Sequence, residues 1–533
     1  MAHLMPKLYP LGQILTFKTI TVKNLKILIL FLCTVFSSCD LDEDPPILDD
    51  GVYDDPRAVI SALDGIYAAL TTYNAQERRL FVINGFSGLF NTRKEGNNIN
   101  NPNNTNLFSL KPNNDSDTAG MWAGLYTAIA RANTAIANIE TYEESTAIPD
   151  ERLFNDVAGQ AYFVRSWSYF SLVRLFGDIP LLTDLPTSEN FMNELTEVKE
   201  IYKQIISDAQ IASNLMNGTT GLGYPKRFAA KMLLSKVYMT LATNPELVPD
   251  NLSSTSNFWE LAYNEAINVY ESQNYVLTPD YGSLFTLENE NSSESIFELQ
   301  ISQVASNSQM GRNYTPNNYK VSQNFGWFKV HADIYDQHAS EYPGDSRLDA
   351  TYLSEYINNN PNSGGFGNTI KVYPSRNRTN YSNGHPFLFK YAVKDITHSN
   401  QYDDKNVIIY RYAELLLMLA EISNELQNGE QLIYITEVLN RSGLSNSAYM
   451  TADQSTFRDK IMKEYRFELI GEGEDAHHNR RRGFNYFLNK TIIPHNTTPN
   501  FGTNRDLTLS EDEIQVMLLP IPLIELNTND LID

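Results

Sequence analysis

A chain of 533 residues, 42% hydrophobic and 11% aromatic, carries enough apolar side chain to bury a large core. Its formal net charge of −23 argues against a nucleic-acid partner, because phosphate binding draws on clustered Lys and Arg. Two cysteines, Cys33 and Cys39, are too few for a disulfide-stapled scaffold, so packing must supply the stability.

Lys18, Lys23 and Lys26 precede an uncharged apolar run from Ile27 to Phe36, which gives way to Ser37-Ser38-Cys39 and the acids Asp40, Asp42, Glu43 and Asp44. That run is about half of the roughly 20 apolar residues a spanning helix needs. Its layout is that of an export signal. Small residues just before a cysteine resemble a lipobox, which predicts a signal peptide at 1–38 and lipid on Cys39. Each buried CH₂ of an acyl chain contributes roughly 0.8 kcal/mol, so the two or three chains of a bacterial lipoprotein anchor it durably. Cys33 leaves with the leader, and the loss of its four lysines takes the charge to −27.

From Cys39 to Asp50 the stretch CDLDEDPPILDD is acidic and Pro-broken and reads as a tether. Asp55-Pro56 has the form of an N-cap with Pro at the first helical position, and Val59, Leu63, Ile66, Tyr67 and Leu70 follow at helical spacing. Thr92 to Asp117, crowded with Asn and Pro, predicts no regular element and is too long for a routine connection. It reads as a binding loop or as disordered chain. Trp122, Leu125, Ile129, Ala132 and Ile136 mark another helix, and Ala158 to Phe176 a third that is apolar nearly all round and therefore buried. Gly177-Asp178-Ile179-Pro180 ends it, Gly as a left-handed cap and Pro by blocking continuation. Helices are predicted at Val198–Leu215, Lys226–Thr243 and Phe258–Ser272, and their short connections favour antiparallel pairs. The spacing is tetratricopeptide-like, without a strict repeat of about 34 residues.

Residues 273–405 are rich in Asn, Ser, Gly and Tyr, with β-prone pieces at Ser295–Ile301 and Thr369–Tyr373. Helical order returns at Ile408–Gln427, Glu430–Asn440 and Thr456–Gly471, and Val516–Leu526, with Pro520 and Pro522, reads as an extended apolar segment. The expected layout is a leader at 1–38, a tether at 39–50 and one domain at 51–533. Within that domain, 51–272 and 406–533 form a helical scaffold and 273–405 a loop-rich region.

Several blocks, in order, resemble the SusD/RagB family of Bacteroidetes outer-membrane lipoproteins. They are Trp122-Ala123-Gly124-Leu125-Tyr126 with Arg131, Ala132 and Asn133; AGQAYFVRSWSYFSLVRLFGDIPLL at 158–182; IIYRYAELLLMLAEISNEL at 408–426; LNRSGL at 439–444; EYRFELIGEGED at 464–475; and LLPIPLIEL at 518–526. Ala476-His477-His478-Asn479 departs from the family pattern before Arg480, Arg481 and Arg482, which puts local salt bridges in doubt. The resemblance implies a mainly α fold of tetratricopeptide-like helix pairs with a loop-rich, partly β ligand-binding region. It implies capture of oligosaccharide or polysaccharide, or in some members peptide, as a lid on a SusC-like TonB-dependent outer-membrane barrel. The chain would then sit outside the cell, held in the outer membrane through Cys39.

A sugar ring presents an apolar face and a rim of hydroxyls, so its site needs aromatic platforms beside amides and guanidinium groups. Two stretches fit: the Asn-rich loop with Arg93, Lys94, Asn97, Asn98 and Phe108, and Arg312-Asn313-Tyr314 through Tyr319 to Phe325-Gly326-Trp327-Phe328. Their positions resemble the regions that supply starch contacts in the family's founding member. Trp327, after a Gly in irregular chain, is the expected platform. Tyr314 and Tyr319 could equally pack the loops onto the helices, and Asn97 and Asn98 could satisfy turns. Trp122 and Trp167 lie on helical faces and are expected in the core.

Catalysis is not expected. Glycoside hydrolysis usually needs two carboxylates at a defined separation, and the 64 acids, Asp333, Asp336 and Glu341 among them, are spread as on a solvated surface. No metal is expected either, since of eight histidines only His477 and His478 adjoin, and no HExxH or CxxC pattern occurs. Asp403-Asp404 could offer oxygens to Ca²⁺ but lacks EF-hand spacing. No Gly-rich phosphate loop occurs and no cofactor is implied. A peptide-binding lid and a surface scaffold without a small ligand remain as alternatives.

Overall fold

Helix α1 (Pro56–Leu70) starts on the proline that presets the helical φ, and buries Val59, Leu63, Ile66 and Leu70 along one face. The computed structural model describes residues 56–92, 106–113, 116–145, 150–185, 192–252, 257–306, 308–373, 384–497 and 508–532. All of them belong to one unit, Tyr53–Asp533. Cys39 and the tether lie outside the described residues.

A π-helical turn at Tyr73–Glu77 leads into α2 (Arg78–Gly85). Then come α3 (Ser116–Ser145), α4 (Glu151–Phe176), α5 (Val198–Leu215), α6 (Arg227–Thr243) and α7 (Phe258–Glu271). Each of α3 to α7 packs on the next, so the pairs form one continuous row. Helix α4 is buried on almost every side and stops at Gly177, whose φ of +73° turns the chain while its N–H donates to the Val173 carbonyl at 3.0 Å. Trp122 and Trp167 are core residues, 3% and 2% exposed.

The row continues after the loop-rich region. Helix α10 (Tyr412–Leu426) packs on α7, α11 (Gln431–Arg441) and α12 (Gln454–Leu469). The helix expected from Ile408 begins only at Tyr412. Val407–Arg411 is a strand instead, because a β-branched run buried on both faces pairs with Ser295–Leu299. Val516–Leu526 is extended only at its centre, with short helices at Glu513–Met517 and Leu523–Thr528 on either side.

Two short helices, α8 (Met310–Tyr314) and α9 (Ala332–Glu341), lie in the loop-rich region. The strands are β1 (Phe90–Thr92), β2 (Ser295–Leu299), β3 (Phe328–Val330), β4 (Tyr352–Leu353), β5 (Glu355–Ile357), β6 (Thr369–Lys371), β7 (Phe387–Leu388) and β8 (Val407–Arg411). They form a four-stranded sheet in the order β1-β3-β7-β4 and two ribbons, β2-β8 and β5-β6.

A buried ionic lattice joins this region to the helices. Arg411 binds Glu472 at 2.7 Å, Glu294 at 2.8 Å and Glu468 at 2.6 Å. Arg347 binds Asp345 at 2.7 Å, Glu464 at 2.6 Å and Glu468 at 2.8 Å. Burial alone would raise the Glu468 carboxyl, but Arg441, Arg411 and Arg347 hold it well below the usual carboxylate range.

The basic cluster keeps its ion pairs at two of three positions. Arg481 and Arg482 both bind Glu421. Arg480 instead lies between the Phe86 and Phe487 rings, 4.0 and 4.1 Å from their centroids, and donates to the carbonyls of Phe86, Ala476 and Val516.

Candidate functional site

Phe325 and Trp327 flank the turn at Gly326, which brings their side chains together. Their rings stack at 5.0 Å with 5° between planes. Gly326 is left-handed, φ +55°, and a Cβ there would come within 2.9 Å of both Pro316 Cα and Phe387 Cε1. Only glycine fits this turn. The loop folds back on α8, with the Phe325 N–H donating to the Arg312 carbonyl at 2.9 Å and that of Trp327 to the Asn313 carbonyl at 2.7 Å. Arg312 then covers the other face of Phe325, its guanidinium carbon 4.0 Å from the ring centroid. Three flat groups, Arg312, Phe325 and Trp327, thus form a layered, half-buried stack, with Phe81 edge-on beneath Trp327 at 5.9 Å.

Two carboxylates clamp α8 from opposite sides. Glu77 accepts from the Gln309 N–H at 2.7 Å and from Asn313 Nδ2 at 2.9 Å. Asp403 accepts from the Gly311 N–H at 2.8 Å. Burial, with the charge of Asp403 adding to it, pushes the Glu77 carboxyl up to about 7 against its backbone hydrogen bond. Asp403-Asp404, considered above for Ca²⁺, serves instead in hydrogen bonds, Asp404 accepting from Gln303.

A polar rim surrounds the stack. Arg312 Nη1 donates to the side-chain oxygens of Gln309 at 3.0 Å and Gln401 at 3.2 Å. Asn400 donates to Gln303 at 2.7 Å, and Lys320 bonds His398 Nδ1 at 2.8 Å and the Asn400 carbonyl at 3.1 Å. Burial lowers the Lys320 ammonium to about 8. Sequence reading missed Gln303, Gln309, Asn400 and Gln401, whose only signals are the adjacent Asn400-Gln401 and the Ser- and Gln-rich run at 302–309.

Trp327 is half-buried against Phe325 and Phe81. Tyr314 lies deeper. It is 1% exposed, its hydroxyl accepts from Asn84 Nδ2 at 3.0 Å, and its ring packs 4.5 Å from Phe328, so its expected ligand role is corrected to a core role. Tyr319 is half-buried between Phe389 at 5.4 Å and Tyr356 at 5.9 Å. Phe108 is buried against Phe81 at 5.4 Å, in a helical turn at 106–108 that the Asn-rich composition concealed. Arg93, Lys94, Asn97 and Asn98 lie outside the described residues. Their anchor is visible, since Thr92, just before Arg93, pairs with Phe328, just after Trp327.

Residues 272–533 match the SusD family, and residues 55–239 match a family described as starch-binding, associating with outer membrane. The chain is 26% identical to SusD-like protein P2 of Formosa agariphila, over 94% of this chain and 96% of that one. It resembles the crystal structure of a SusD homolog from Bacteroides thetaiotaomicron, with TM-score 0.72, 22% identity and coverage of 89% and 95% of the two chains. It also resembles surface glycan-binding protein A from Bacteroides uniformis, with TM-score 0.68, 19% identity and coverage of 90% and 98%.

Proposed function

The chain belongs to the SusD family, and from that membership we propose that it is a surface lipoprotein that captures oligosaccharide or polysaccharide and passes it to a TonB-dependent outer-membrane barrel. The observation that carries this reading is the half-buried Arg312–Phe325–Trp327 stack with the Gln309 and Gln401 amides on Arg312. An aromatic face receives the apolar face of a sugar, and neutral amides with a guanidinium meet its hydroxyls in either hydrogen-bonding sense. Lipid on Cys39 supplies the attachment, and among the described residues no helix is long and apolar enough to cross a membrane.

The site is read as binding without chemistry. Glu77, with its carboxyl near 7, has the acidity of a general acid. Both of its oxygens, however, already accept hydrogen bonds within α8, and the residue is only 7% exposed. It is a clamp by its contacts.

The test is retention on native gels containing a panel of soluble polysaccharides, using the chain downstream of Cys39, which includes the whole unit from Tyr53. One glycan is expected to retard it, and Trp327→Ala to weaken that retention at least about 10-fold, as truncating a buried Trp contact does elsewhere. If no glycan retards the protein, the reading fails. Retention of a peptide mixture would then favour the peptide-importer lid, and absence of both the scaffold.

A further inference from the structure

We infer that His331, Asp333 and His495 form a site for a divalent first-row transition metal, with Zn²⁺ as the probe ion, that ties β3 to the C-terminal part of the chain. One ligand atom from each of the three lies within 4.8 Å of the other two, and all three residues are buried. Ligands about 2.1 Å from a tetrahedral ion sit roughly 3.4 Å apart, so small side-chain rotations close the site. The Asp333 Oδ1 to His495 Nδ1 distance is already 3.9 Å, and the His331 and His495 rings lie 4.1 Å apart.

His331 supplies the independent observation. It is fully buried, and neither of its ring nitrogens has a hydrogen-bond partner. A buried imidazole normally satisfies at least one nitrogen, and a metal ion is one way to do so. Its backbone is well fixed, with the N–H donating to the Leu89 carbonyl at 2.9 Å as the chain passes from β3 into α9. The neighbouring His385 is engaged otherwise, its Nδ1 accepting from the Ala332 N–H at 3.1 Å.

Asp333 and His495 also line a cleft of about 400 Å³, which gives an ion a route in and room for a water as fourth ligand. Arg466 lines the same cleft and feels the charge of Asp333. A single carboxylate offers too few oxygen donors for Ca²⁺ or Mg²⁺. Two imidazoles with one carboxylate suit Zn²⁺ and its neighbours.

The test uses the untagged, chelator-stripped chain downstream of Cys39. Calorimetry is expected to give one Zn²⁺ per chain, and Zn²⁺ at 100 times its Kd to raise Tm by about 3 °C. Ca²⁺ and Mg²⁺ leave Tm unchanged. Co²⁺ gives the visible bands of a low-coordinate nitrogen and oxygen site. His495→Gln and Asp333→Asn each weaken Zn²⁺ at least about 10-fold with the far-ultraviolet circular dichroism unchanged. Should either variant fail to fold, the Co²⁺ spectrum and stoichiometry of the unmodified chain decide. Absence of saturable Zn²⁺ binding, or full affinity in both variants, overturns the site. Glycan retention is a separate readout and stands or falls by itself.

Discussion

Arg411 and Arg312 carry the same guanidinium into two different regions. In the lattice between β8 and α12, Arg411 is 1% exposed and its nitrogens meet Glu294, Glu468 and Glu472. In the loop-rich region Arg312 lies over Phe325, touches only neutral amides with its outer nitrogen, and leaves its Nε without a hydrogen bond. A dense cluster of acids and bases is easily mistaken for an active centre. Here such a cluster is closed off and belongs to the fold, whereas the stack of Arg312, Phe325 and Trp327 is only half-buried.

The largest effect that would break this contrast lies in the lattice. Arg411→Met takes one cation away from three buried carboxylates, which keep Arg347, Arg441 and Lys390 as partners, and urea unfolding should show a loss of about 3 kcal/mol. A neutral or stabilising result would reduce the lattice to interchangeable core.

The next effect is one of pH, with opposite signs at two buried carboxyls, Glu421 beside the basic cluster and Glu77 beside α8. Burial would raise the Glu421 carboxyl, but Arg481 and Arg482 hold it at about 2, below its ordinary 4.5. Its contribution is therefore fully present above about pH 4.5 and lost as the pH falls toward 2, by an amount of the order of 3 kcal/mol. Glu77, raised to about 7, behaves in reverse: its contribution is present below about pH 4.5 and lost as the pH rises through 7. Denaturant midpoints across pH should show Glu421→Gln removing acid sensitivity and Glu77→Gln removing part of the decline toward pH 8.

The smallest effect sharpens the other side. Arg312→Ala should change stability by no more than about 1 kcal/mol, the size of an exposed cation–π contact, while lowering glycan retention severalfold on the same native gels. A loss of stability as large as that of Arg411→Met would place Arg312 in the fold.

Much of the helical row was legible because it depends on local pattern. Val198–Leu215 runs between its predicted ends, and Gly177 ends α4 with the cap expected of it. Ile408–Arg411 was not legible as strand, since an apolar run beside a helix fits either period until its partner, Ser295–Leu299, is known. The same limit governs the site. The glycine before Trp327 marked irregular chain, whereas Tyr314, for which packing already competed with a ligand role, is core, packed on Phe328 and bonded by Asn84 from 230 residues away. Gln401 reaches Arg312 across 89 residues. His331 and His495 are likewise brought together by packing that no short motif encodes.

The turn at Gly326 bears on how such a surface can diversify. The backbone there is committed, since any side chain would collide with Pro316 and Phe387, yet the residues on either side are only half-buried. Single-codon exchanges at 325 and 327 could therefore trade one ring for another, or a ring for an amide, without re-inventing the loop. A lineage adapting to a new polysaccharide would have a fixed mount and replaceable tools.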